Sequence, residues 1–189
     1  KVVTSKITTT VQTTTTQQVS IANETAVSTT SSGTSVSQAT AAASSSQNQS
    51  KYEANVASVA GKMDNRVIAA YQQLGFKIVV DPSVNYSGYF DARSRSITMK
   101  QIDDSVYHEL GHFLAFIAGN VDKTASFQSI FAAEKANVTA FNKAYVTQNA
   151  SEYFAESVKD YILNNASLKS TRPQTYAAVQ NALNQITDR

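Results

Sequence analysis

The composition of the chain changes abruptly near residue 50, and this change decides which part of it can fold. About half of residues 1–50 are Ser or Thr, and no aromatic residue, Leu or Pro occurs before Tyr52. Such a segment has too few apolar side chains to offset the entropy that ordering would cost. We therefore predict a disordered stalk or linker over 1–50, either a passive spacer or a glycosylated surface stalk, and one folded domain over 51–189.

Charge and cysteine content exclude several classes of function. The net charge is +2 and only 16% of the residues are charged, which indicates neither a nucleic-acid partner nor an anionic membrane surface. The chain has no cysteine, so disulfides and thiol chemistry are excluded. No apolar run approaches the roughly 18 residues that a membrane span requires. We therefore expect no nucleic-acid partner and no membrane span.

Hydrophobic periodicity predicts an α+β domain with a small group of strands and several helices. Apolar residues from Val56 to Tyr71 recur at helical spacing and end near Gly75. Short strands are expected in FKIVVD (76–81) and on both sides of a polar turn at Asp91–Ser94. The remaining helices are expected at 105–118, 124–145, 151–164 and 173–186.

The sequence VYHELGHF holds the only two histidines of the chain, His108 and His112. Because they lie four residues apart in a predicted helix, both imidazoles project from one face and can reach one metal ion. Glu109 lies on the adjacent flank, where it could hold a water without binding the metal itself. This is the H-E-x-x-H arrangement of zinc proteases, whose glutamate accepts a proton from the attacking water. The alternative is a pair of helical histidines with no metal.

A catalytic zinc usually needs a third protein ligand. The absence of a third histidine excludes the pattern H-E-x-x-H-x-x-G-x-x-H, so this ligand must be an acid. Glu152 and Glu156 are the strongest candidates, since two carboxylates one turn apart among core-type residues require a nearby cation. Their alternative role is to stabilise a helix N-terminus. Weaker candidates are Asp122, in a predicted turn; Glu134, on a helix face that looks solvated; and Asp160.

Two motifs together resemble the catalytic domain of the anthrax lethal factor family, which includes the small secreted Pro-Pro endopeptidases of Gram-positive bacteria. VYHELGHF matches the H-E-x-G-H helix of that family, and SEYFAES within YVTQNASEYFAES matches its later E-[FY]-F-A-E helix. The resemblance implies a zincin-like metalloprotease domain of the gluzincin type. It implies that Glu152 joins His108 and His112 as the third zinc ligand.

The same resemblance assigns two further residues. Glu156 matches an acid that supports a metal-binding histidine in the family. Tyr145 lies seven residues before Glu152, the offset at which the family carries a tyrosine aimed at the metal. The resemblance implies that Tyr145 stabilises the oxyanion or protonates the leaving amine.

These expectations combine into a secreted or cell-surface zinc metalloendopeptidase of a Gram-positive bacterium, acting as a monomer on a protein or peptide substrate, with proline-rich sites as one possibility. Glu109 would be the general base. An extended peptide is expected to pair with the edge of the strand near Ser96–Lys100. Tyr89 and Phe90 either line that groove or belong to the core.

Two other functions stay open. An inactive zincin-fold binding protein would bind zinc without turning over any peptide. A surface adhesion module would use its metal structurally, with four protein ligands and no water.

Overall fold

The computed structural model describes residues 50–186 of the 189-residue chain. Within this range the chain forms an α+β domain, as the periodicity predicted. Apart from Ser50, the predicted disordered segment lies outside the described residues, so its disorder stays a prediction. None of the described helices combines the length and apolar character that crossing a membrane would need.

Four short strands form one mixed sheet. They are β1 (Tyr52–Ala54), β2 (Lys77–Val80), β3 (Gly88–Asp91) and β4 (Ser96–Met99). Their order is β1-β2-β4-β3: β2 and β4 run parallel, and the outer pairs β1–β2 and β4–β3 run antiparallel. Ile97 and Met99 of β4 are buried while Ser96 and Thr98 are partly exposed, so this strand has one buried face.

This strand order contradicts the expectation that a peptide would pair with the strand near Ser96–Lys100. Strand β4 is hydrogen-bonded on both sides, to β2 and to β3, so it offers no free edge. The exposed edge beside the predicted site is β3. The polar turn joins β3 to β4 as predicted: the Asp91 carboxylate accepts hydrogen bonds from the Arg93 backbone N–H and the Ser94 hydroxyl.

Eight α-helices lie in the part of the chain that the structure describes. In chain order they are α1 (Val56–Val59), α2 (Asn65–Gln73), α3 (Ser105–Ile117), α4 (Ala125–Glu134), α5 (Lys143–Val146), α6 (Ala150–Leu163), α7 (Asn165–Thr171) and α8 (Pro173–Asn184). Short 3-10 turns at Val121–Lys123 and Lys135–Asn137 flank α4.

Two of the predicted helices are divided in the structure. The first segment forms α1 and α2, because the side chains of Asn55 and Asp64 each accept backbone hydrogen bonds and start a separate helix. The segment 124–145 forms α4 and α5, because the backbone at Val138 is extended and ends the helical run. Helix α7 and strand β1 were not predicted.

Helix α3 lies at the centre of the domain, between the sheet and α6. Leu110, Phe113 and Leu114 of α3 are fully buried, and Phe154 of α6 is buried as well. The two helices approach each other very closely at Gly111: a Cβ atom there would lie 2.7 Å from both the Cα and the carbonyl oxygen of Ala155. This contact brings the predicted metal-binding faces of α3 and α6 together.

Candidate metal centre and active site

Helix α3 presents its two histidines on one face. The helix starts where the Asp103 carboxylate accepts a hydrogen bond of 2.9 Å from the Ser105 N–H, while Asp104 makes no side-chain cap bond. The rings of His108 and His112 have their centroids 5.0 Å apart. Both side chains are therefore close enough to serve one ion, as the four-residue spacing predicted.

Glu152 of α6 lies against both histidines. The Asn149 side chain caps α6 by accepting a hydrogen bond from the Glu152 N–H, which fixes the first turn of this helix. Glu152 Oε2 is 3.1 Å from His108 Nε2 and 3.6 Å from His112 Nε2. One ligand atom from each residue lies within 4.8 Å of the other two.

These distances fit a zinc ion. Ligands about 2.0–2.1 Å from a tetrahedral zinc lie roughly 3.3 Å from one another. The two Nε2–Oε2 distances of 3.1 and 3.6 Å bracket that separation. Two neutral imidazoles and one carboxylate also form a donor set that catalytic zinc commonly uses. In the described range, this is the one group of His, Cys, Asp and Glu with such spacing.

The remaining acidic candidates do not belong to this group of possible metal ligands. Glu134 was expected on a solvated face, and that expectation is wrong: only 5% of it is exposed. Its carboxylate accepts hydrogen bonds from the backbone N–H groups of Gln174 and Thr175 and from the Thr175 hydroxyl, which caps α8. Asp160 pairs with Arg172. Asp122 falls in a 3-10 turn and is buried.

Glu156 orients one of the histidines. Its Oε2 atom is 2.9 Å from His108 Nδ1, and its other oxygen accepts a hydrogen bond of 3.3 Å from Lys159. A proton on Nδ1 donates to Glu156 and leaves the Nε2 lone pair free for a metal. Burial alone lowers the pKa of His108, but the hydrogen bonds with Glu152 and Glu156 outweigh it and raise the pKa to about 9.

The pKa of the Glu152 carboxylate shifts in the opposite direction. Burial alone raises its pKa, but hydrogen bonds from His108 and His112 outweigh this effect and hold the pKa well below its usual value. Without a metal, Glu152 is therefore ionised and His108 is cationic over much of the neutral range. A divalent cation would replace the proton that His108 carries in this state.

Glu109 lies beside this cluster. Burial raises its pKa, and the two histidines partly counteract that rise. Strand β3 approaches it closely: a Cβ on Gly88 would lie 2.7 Å from both Glu109 Cγ and Oε1. The Glu109 carboxylate thus lies directly against the free edge strand, and the sequence carried no signal of this contact.

Tyr145 lies over the site from α5. Its ring centroid is 6.4 Å from that of His108, and 53% of the residue is exposed. Burial of its hydroxyl and the nearby Glu152 carboxylate raise the pKa of Tyr145 to about 12. The hydroxyl therefore stays protonated at neutral pH and can donate a hydrogen bond.

Two cavities open on either side of Glu109 and Tyr145. One, of about 430 Å³, extends past His108 towards Tyr86, Asn142 and Lys159. The other, of about 300 Å³, extends past His112 towards Phe90, Phe116 and Asp122. Together they form a cleft that crosses the predicted metal site.

The two aromatic residues of β3 have different positions. Phe90 is partly buried and packs with its ring against both Phe113 and His112. Tyr89 is exposed and pairs with Tyr86. Both residues line the cavity on the His112 side, so the groove and core interpretations each describe part of the arrangement.

Comparison with known proteins places this arrangement in a family. The family described as "Anthrax toxin lethal factor, N- and C-terminal domain" matches residues 91–182. This region is similar to the lethal factor family. The predicted resemblance is therefore confirmed, and the match covers α3, α5 and α6, which carry all the predicted site residues of this lethal factor-like domain.

A curated relative gives the same assignment. The Pro-Pro endopeptidase of Clostridioides difficile (strain 630) is 41% identical over 78 residues, which is 39% of this chain and 34% of that protein. The chain thus spans about a third of the length of this relative. The individual roles of the site residues in the lethal factor-like domain stay predictions.

Proposed function

We propose that the chain is a zinc-dependent metalloendopeptidase. The observation that carries this proposal is the convergence of His108, His112 and Glu152 on one point within 4.8 Å, beside the buried Glu109 and an open cleft. The three ligands would hold zinc and leave a fourth position for a water. The similarity to the lethal factor family, and the name of the relative, support hydrolysis of peptide bonds.

Glu109 acts as the general base. A zinc ion held by His108, His112 and Glu152 would supply Lewis acidity and would lower the pKa of a bound water. Glu109 accepts a proton from the attacking water, and its raised pKa makes it a better proton acceptor than an exposed carboxylate. The protonated Glu109 then delivers this proton to the departing amine.

Tyr145 stabilises the charge that develops on the scissile carbonyl. With a pKa of about 12, its hydroxyl remains a hydrogen-bond donor throughout the neutral range. Such a donor, aimed at the developing oxyanion, favours the transition state over the bound substrate. Glu156 keeps the His108 ring in its metal-binding orientation through the Nδ1 hydrogen bond.

The substrate is an extended peptide that adds to the free edge of β3. Its backbone would pair with the outer side of this strand, next to Gly88 and Glu109. The exposed rings of Tyr86, Tyr89 and Tyr145 around the cleft suit proline-rich segments, since such segments dock on aromatic surfaces. The name of the relative, Pro-Pro endopeptidase, supports the same class of substrate.

The enzyme acts outside the cell, on the surface of a Gram-positive bacterium or released from it. The Ser/Thr-rich composition of 1–50 suits a stalk or spacer that holds the catalytic domain away from an attachment point. All the proposed catalytic residues come from one chain, which supports action as a monomer.

Mass spectrometry of the products from an unbiased peptide library tests this function. The zinc-loaded chain is expected to cleave a defined set of peptides, and a chelator should abolish cleavage until zinc is restored. Glu109→Ala should lose at least about a hundredfold in turnover while still binding zinc. The exposed Glu53→Ala is the matched control and should retain activity.

Two results would overturn the proposal. Tight zinc binding without turnover of any peptide would favour the inactive binding protein. Four protein ligands with no water would favour a structural metal in an adhesion module.

A further inference from the structure

The cavity on the His112 side is lined by an aspartate, Asp122, whose carboxylate has no partner among the described residues. Asp122 lines this cavity and only 4% of the residue is exposed. Among the residues that the structure describes, none forms a hydrogen bond or ion pair with its side chain; the one bond to this residue, from Gln128, goes to its backbone carbonyl. Neither Asp122 carboxylate oxygen is among the buried atoms that lack a partner, so both can be reached from the cavity by a cationic ligand.

Two other buried acids of the domain, Glu134 and Glu156, contrast with Asp122. Glu134 accepts three hydrogen bonds at the start of α8, and Glu156 is bonded to His108 and Lys159. Each of these carboxylates has a structural function. Asp122 has no such function, although it lies within the cleft that the substrate would occupy.

One part of the cavity wall is apolar and aromatic, although polar and charged side chains make up about half of the lining. Phe90 and Phe116 line it with their ring centroids 6.2 Å apart, and Phe116 is 40% exposed. Ala115 completes the wall from α3. An aliphatic stem can lie against such rings, and a cation at its end is attracted both by the ring faces and by a carboxylate.

We propose that this cavity is a specificity pocket for a Lys or Arg side chain of the substrate, with Asp122 as the residue that pairs with its charge. The proposal rests on the proposed peptidase function and names a substrate class for the same cleft. The volume of about 300 Å³ suits a single long side chain.

Among the described residues that line the cavity, Lys123 is the only Lys or Arg, and it could compete for Asp122. It lines the same cavity, but it is exposed and forms no ion pair with Asp122 in the described range. Its position at the end of the 3-10 turn leaves the ammonium in solvent. The substrate side chain would therefore meet a free Asp122 carboxylate.

Peptide binding to the zinc-loaded Glu109→Ala chain tests the pocket without requiring turnover. Fluorescence anisotropy would compare N-acetylated peptides that carry either Lys or norleucine at one position, with that position moved along the peptide. We expect Lys to bind at least about tenfold more tightly than norleucine at one position. In Asp122→Asn this preference should fall to less than about threefold.

Matched variants separate the pocket from a structural role. Asp104→Asn changes an exposed aspartate without a cap bond and should retain the preference, as should Lys123→Ala. Asp122→Asn should bind zinc normally and be about as stable as the parent chain, because no hydrogen bond or ion pair of the described residues is lost.

Several outcomes would overturn the proposal. One is equal binding of Lys and norleucine peptides at every position, and another is a Lys preference that survives in Asp122→Asn. A third is tight binding of non-acetylated peptides alone, because this result would assign the pocket to an N-terminal ammonium. The first comparison uses an intact Asp122, so it decides even if Asp122→Asn fails to fold. If the parent zinc-loaded chain binds the Lys peptides with this preference but hydrolyses no peptide, the proposed function is contradicted and the pocket stays supported.

Discussion

Gly111 sets the distance between the two helices that carry the metal ligands, and Gly111→Ala tests this directly. The new Cβ would lie 2.7 Å from the Ala155 Cα and carbonyl oxygen, where ordinary contacts are 3.4–4 Å. Helices α3 and α6 would have to separate locally by about 0.7–1.3 Å, since this is the difference between those distances. Zinc sites tolerate deviations of only about 0.2 Å in their ligand distances.

Two effects of opposite sign act on the free energy of unfolding of Gly111→Ala. Alanine favours a helix over glycine by about 1 kcal/mol, whereas overpacking costs about 1–3 kcal/mol. We therefore expect the free energy of unfolding of the metal-free chain to change little or to fall by up to about 2 kcal/mol. Zinc affinity should fall at least about tenfold, because Glu152 moves away from both histidines.

Competition with a fluorescent chelator measures the zinc affinity, and urea unfolding with excess chelator measures the stability. Gly61→Ala is the matched control: its nearest neighbour, the Ala57 carbonyl oxygen, would be 3.4 Å away, so both quantities should stay unchanged. A Gly111→Ala chain that is more stable and binds zinc as tightly as the parent would refute the close-packing argument.

Three further predictions follow from the same contacts. Gly88→Ala should lower kcat at least about tenfold with unchanged zinc affinity, because its Cβ would displace the Glu109 carboxylate; equal turnover would contradict this. Glu134→Gln should lower the free energy of unfolding in urea by about 1–3 kcal/mol, because its carboxylate caps α8, while zinc affinity stays the same. For the metal-free chain, the His108 pKa raised from 6.5 to about 9 gives stability that is complete below pH 6.5 and lost as the pH rises through 9. The lowered pKa of Glu152 gives stability that is present above pH 4.5 and lost as the pH falls below it. The Tm of the metal-free chain should therefore be highest between pH 4.5 and pH 6.5. In Glu152→Gln, Tm should fall less from pH 7 to 9, because His108 loses a carboxylate that raises its pKa.

Local periodicity was enough to predict one side of the candidate site. The spacing of His108 and His112 depends only on helix geometry, so both histidines and Glu109 were found without knowledge of the tertiary fold. Glu152 is different, because it lies 44 residues away from His108. Its pairing with His108 required either the family motif or the packed structure.

The errors arose where distant partners decide the outcome. Strand β4 was predicted as a strand but given a free edge, since nothing in its own residues shows that β2 and β3 pair on either side. Glu134 was placed on a solvated face because its partners belong to α8, 40 residues further along the chain. The close approach of Gly88 to Glu109 likewise depends on how the sheet lies against α3.

The zinc-loaded chain in a crystal, with anomalous diffraction recorded at the zinc edge, tests the central claim most directly. We predict one zinc bound by His108 Nε2, His112 Nε2 and a Glu152 carboxylate oxygen, with a solvent molecule in the fourth position next to Glu109. A zinc without Glu152 among its ligands, or one enclosed by four protein side chains, would contradict the account.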